Sequence, residues 1–149
     1  MRQASLFDIL PQADPDESVS LVGVMPAIRA VMNRVAGKDD ECRKQLVESI
    51  NAVARRENVA LTRGGGKTIE KATLDKWVQS GSDQGHAPSL EAILCFCLAT
   101  GDANPVKPML KALGLEVIPK ADLEDLEYGK LCIAERKLRE RKKALEARR

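Results

Sequence analysis

The stretch from Thr68 to Gly101 leaves this chain little choice but two short helices and a turn between them: T-I-E-K-A-T-L-D-K-W-V-Q-S-G-S-D-Q-G-H-A-P-S-L-E-A-I-L-C-F-C-L-A-T-G. Leu74, Trp77 and Val78 recur at helical spacing and share one face, which predicts a helix over about 70–80. Ala72, Asp75, Lys76 and Gln79 fall on or near the opposite face, with Lys71 at its N-terminal flank. Ser80-Gly81 supplies a stop, because glycine accepts the left-handed conformation that closes a helix. Pro88-Ser89-Leu90-Glu91 starts the second helix, with Ser89 as N-cap and an acid in the first turn. Leu90, Ile93, Leu94 and Cys97 are expected to line its inner side, Phe96 and Leu98 to widen it, and Gly101 to end it.

Upstream, Met25 to Ala36 reads as a helix with Pro26 in its first turn, a stripe of Ile28, Val31, Met32 and Val35, and Gly37 as its stop. Asp39 or Asp40 then caps a longer helix to about Asn58, whose buried face is Leu46, Val47, Ile50, Val53 and Ala54. Asn58 to Lys67 forms the connection to the central pair. Its Gly64-Gly65-Gly66-Lys67-Thr68 resembles the end of a phosphate-binding P-loop, but the required first glycine would stand where Leu61 does, and no buried strand precedes it. Arg63 and Lys67 on flexible backbone suit phosphate contacts instead.

Downstream, Asn104 is expected to cap a short helix with Pro105 at its first position, Met109, Leu110 and Leu113 packed inward and Gly114 at its end. Leu115 to Ile118 reads as an extended connector or edge strand stopped by Pro119. From Asp122 to about Ala147 one long helix starts acidic and ends basic, matching the helix dipole at both ends. Gly129 weakens its middle. A thin apolar row through Leu131, Ala134, Leu138 and Leu145 suggests a coiled-coil-like seam.

A pattern of Thr73, Leu74, Trp77 and Gly81, the glycine shifted by one position, followed by Pro88-Ser89-Leu90-Glu91 and Leu94, resembles the helix-turn-helix domains of the Cro and lambda-repressor type. The A-T-L-D-K-W run and the Lys/Arg-rich final helix are similar to small regulators of Mu-like phages and prophages. The resemblance is specific from Ile69 to Gly101 and follows element order from about 25 to 149. The turn before the recognition helix is longer than the usual three or four residues, and the 82–87 loop is expanded.

The resemblance implies an all-α, lambda-repressor-like bundle of four to five helices over 25–114. A long charged helix over 120–149, suited to dimerisation, completes the chain. It implies a transcriptional regulator that binds double-stranded DNA, probing the major groove with the helix at 70–80. Position on that helix makes Lys71, Ala72, Asp75, Lys76 and Gln79 the candidate base contacts: lysine donates to guanine, glutamine pairs with adenine and aspartate accepts from cytosine. Arg55, Arg56, Arg63, Lys67 and Thr68 are the candidate phosphate contacts. From Arg43 to Ser80, eight Lys/Arg face four Asp/Glu, a local +4 against +2 for the chain. A homodimer is expected, since one recognition helix touches few base pairs.

Met1 to Ser20 is poor in apolar residues and rich in Pro and Asp, which predicts a flexible arm. Within it Gln3-Ala4-Ser5-Leu6-Phe7 resembles the short peptides with which bacterial replication proteins dock on the sliding clamp. It supports an alternative reading: a factor that grips host replication or transcription proteins through Gln3, Leu6 and Phe7 and through the final helix. Catalysis is not expected, because a single His and the absence of a nucleophile–base constellation leave nothing to carry it. No metal or other cofactor is expected. Cys42, Cys95, Cys97 and Cys132 lack metal-ligand spacing and read as buried reduced thiols. With no membrane-length apolar run and no leader, the chain is expected to be cytoplasmic.

Overall fold

The computed structural model describes residues 20–79 and 86–149. The N-terminal arm with its Gln3–Phe7 peptide, and the Ser80-Gly81 stop, lie outside the described residues. All regular structure among the described residues is helical, as expected. The chain divides into two units, one ending at Glu116 and one spanning Val117–Arg149.

In the first unit, α1 runs from Leu21 to Ala36 and buries Ile28, Met32 and Ala36 at four-residue intervals. It begins one turn earlier than Pro26 suggested. Proline there forgoes a single i→i−4 bond within a continuous helix. Gly37 ends α1 at φ 72, ψ −175, where its N–H reaches the Asn33 carbonyl. A side chain would be badly strained in that conformation.

Helix α2 spans Asp40–Glu57. The Asp39 carboxylate accepts from the Cys42 amide at 3.3 Å, and Asn58 closes the helix in the left-handed region. Val47, Ile50, Val53 and Ala54 face the core and Leu46 is half-buried.

The connection from Asn58 to Glu70 is a closed loop rather than a flexible tether. Leu61 and Ile69 are buried and anchor its two ends. The Leu61 and Thr62 amides donate to the Gly66 carbonyl at 2.7 and 3.2 Å. From α2, the Asn51 side chain pairs with the backbone of Ile69 as a strand would, donating to its carbonyl at 3.0 Å and accepting from its amide at 2.8 Å.

Helix α3, Lys71–Val78, buries Leu74, Trp77 and Val78. Helix α4, Leu90–Thr100, starts where Ser89 Oγ accepts from the Ala92 amide at 3.1 Å, and ends at a left-handed Gly101. Its inner face is only partly the expected one: Ile93 and Phe96 turn inward and Cys97 is half-buried, but the expected leucines do not turn inward. Ala92, Ile93, Cys95 and Phe96 are buried, whereas Leu90, Leu94 and Leu98 are 54%, 46% and 59% exposed. A helix apolar on every side offers no periodicity from which to choose a face, and packing against α2 selects the Ala92–Phe96 line.

A 3-10 turn at Asn104–Val106 leads into α5, Lys107–Ala112. The cap comes from Asp102, whose carboxylate accepts from the Asn104 amide at 2.8 Å, rather than from Asn104. Met109 and Leu110 are half-buried as they lean on α1, but Leu113 is 61% exposed because the helix has already ended. Residues 115–118 form no strand. Cys95 is buried and Cys97 half-buried, with burial raising both thiol pKa values, but Cys42 and Cys132 lie on the surface, against expectation.

In the second unit, a 3-10 turn at Lys120–Asp122 opens into α6, Leu123–Glu146, continuous through Gly129. None of its residues is buried, and Leu131, Leu138 and Leu145 are more than half exposed. No helix among the described residues is long and apolar enough to cross a membrane.

Candidate nucleic-acid interface

Helix α3 is held from three sides. Its apolar face enters the core against α1 and α2. Its C-terminus is tied to α1, where the Arg29 guanidinium donates to the Gln79 carbonyl at 3.3 Å. Its N-terminal flank is locked by charge. Asp75 accepts from Arg43 Nη1 at 2.7 Å and from Lys71 Nζ at 2.8 Å, and Lys71 also meets Asp40 at 2.6 Å. Arg43 also donates from Nε to the Gly37 carbonyl and from Nη2 to the Asn33 side chain, at 2.8 and 2.7 Å. One guanidinium thereby joins the end of α1, the start of α2 and the middle of α3.

The electrostatics follow from these contacts. Hydrogen bonding from Lys71 holds the Asp40 carboxyl below its ordinary value. Burial pushes Asp75 upward, but hydrogen bonds and charges from Lys71 and Arg43 together outweigh it, and its net shift is also downward. Lys71 is raised, first by Asp40 and then by Asp75. Asp40, Asp75 and Lys71 are therefore held in their charged forms.

The expected base contacts accordingly divide. Ala72, Lys76 and Gln79 are exposed. Lys71 and Asp75 are half-buried and committed to ion pairs within the chain. The i,i+4 spacing of Lys71 and Asp75 was the available signal for that pairing. Arg43 and Asp40 were not anticipated as their partners.

The expected phosphate contacts lie on the end of α2 and on the closed loop. Arg55 and Arg63 are exposed and form no ion pair among the described residues, while Arg56 pairs with Glu57 at 3.0 Å. The Lys67 ammonium donates to the Asn58 side chain, and Thr68 is exposed. Arg63 also rims an open pocket of about 380 Å³ with Val59, Ala60, Thr62, Ser89 and Glu91. Comparison with protein-family models, with curated proteins and with solved structures finds no match.

Proposed function

We propose that this chain is a sequence-specific regulator that binds double-stranded DNA, of the kind found in phages and prophages, with α3 entering the major groove. One observation carries the reading. Helix α3 is fixed on its inner face and its flank, yet Ala72 and Lys76 on its outer side, and the extended Gln79 just past its end, are left open. A major groove admits one helix, and side chains from its outer face reach base edges.

Lys76 then donates to guanine and Gln79 pairs with adenine, while the small Ala72 allows close approach. Lys71 and Asp75 position α3 rather than read bases. Arg55, Arg63 and Lys67 supply cations for backbone phosphates, which set register without specifying sequence. Two copies acting together double the bases read, and the exposed apolar row of α6 is the surface that would join them.

Selection of bound sites from random duplex DNA tests the reading. It predicts an enriched, two-fold symmetric sequence. Recovery of unenriched DNA by the folded protein would overturn it.

A further inference from the structure

The most basic part of the chain is not the helix-turn-helix region. Residues 136–149 hold eight Lys/Arg against two Glu, a local charge of +6 where the whole chain has +2. Two of these cations are neutralised along the helix: Arg139 pairs with Glu135, and Lys142 lies 3.9 Å from Glu146. Both pairs lie on one side of α6.

The other side differs. At about 100° per residue, Lys130, Lys137 and Arg141 of α6 fall within about 40° of one another, and Arg148 follows in the turn just past the helix end, where its amide donates to the Leu145 carbonyl at 3.2 Å. The three helical cations form a straight line about 16 Å long at a rise of about 1.5 Å per residue, and Arg148 extends it at the C-terminal end of α6. All four are exposed and form no ion pair among the described residues. By the same count no acidic residue shares their line; Asp122, Glu124, Asp125, Glu127 and Glu140 all lie at other angles.

We infer that this line is a second DNA contact, a sequence-independent track for the phosphate backbone, and it rests on the DNA-binding reading above. Charge complementarity selects the occupant. Duplex DNA presents about one negative charge per 1.7 Å of axis, so a straight row of unpaired cations meets phosphates in any register. Leu131, Leu138 and Leu145 lie about 80° around the helix from the line. Two copies of α6 could therefore pair through that row and leave the cations open.

The test uses the full chain and a 30-base-pair duplex, in selected and scrambled versions, titrated across a range of salt concentrations. One variant carries K130Q, K137Q, R141Q and R148Q; a charge-matched variant carries R136Q, R139Q, K142Q and K143Q. Loss of four phosphate contacts should flatten the dependence of log K on log salt by about three to four units. That flattening is expected in the first variant and not in the second, with the ratio of selected to scrambled binding unchanged. Equal slopes in parent and first variant, or equal flattening in both variants, would overturn the inference. So would a parent that binds anionic phosphatidylserine vesicles through these residues but no duplex. If the parent binds both duplexes equally and the first variant alone flattens the slope, the track stands and the sequence-reading role of α3 falls.

Discussion

Asp75 accepts a 2.7 Å hydrogen bond from the guanidinium of Arg43, 32 positions earlier in the chain, and this contact fixes how α3 sits on α2. Arg43 is the more buried partner, with its side chain 15% exposed, and it satisfies Gly37 and Asn33 as well. Arg43→Ala should therefore cost about 1–3 kcal/mol, because it strands several partners at once. Urea unfolding of the parent and variant measures it; an unchanged midpoint would reduce the network to surface decoration.

The same network predicts a pH dependence. Asp40 and Asp75 are both held below their ordinary 3.8 in the folded chain. A carboxylate depressed by folding contributes stability above its unfolded pKa and loses it as pH falls through the folded value. Stability should thus hold at neutral pH and decline below about pH 4. Asp75→Asn should make that decline shallower, as thermal melts at several pH values would reveal.

Asn51→Ala should open the loop before α3. It removes two hydrogen bonds to the Ile69 backbone, a buried residue. The expected cost is about 1–3 kcal/mol, since the orphaned amide and carbonyl lose their partners. Hydrogen exchange at the Ile69 amide should accelerate in the variant; unchanged protection would show that the loop closes without Asn51.

These contacts also mark what could be read from the amino-acid order. Caps at Asp39 and Ser89 and the Leu74–Trp77–Val78 face were legible because they depend on neighbours within a turn or two. The start of α1 was misplaced because Pro26 fits a first turn so well. On α4, Ile93 and Phe96 were assigned inward correctly, but Leu90, Leu94 and Leu98 were not told apart from them because they are as apolar as the residues that are buried. Arg43 and Asn51 gained their roles only through tertiary contacts 32 and 18 positions away, which no local pattern encodes.

Assembly is testable by sedimentation. All the buried residues precede Pro119, so a chain ending at Lys120 retains the core. The full chain should sediment as a dimer at tens of micromolar and the shortened one as a monomer. If the shortened chain still dimerises, the exposed Leu90–Leu94–Leu98 ridge becomes the surface to alter.

Trp77→Ala should unfold the first unit rather than alter recognition. The residue is 4% exposed, and removing a large buried aromatic costs about 3–5 kcal/mol, a large share of a small domain's stability. Circular dichroism against temperature gives the result directly.

The central claim is that the open face of α3 reads bases. The most direct measurement is binding of a selected duplex, its single-base-pair variants and a scrambled duplex by the parent and by Lys76→Ala, Gln79→Ala and Lys67→Ala. The first two should each lose roughly 1–3 kcal/mol of discrimination at a single base position. Lys67→Ala should weaken binding to all sequences alike and flatten the salt dependence by about one unit. If all three remain folded and bind every duplex as the parent does, α3 does not read DNA.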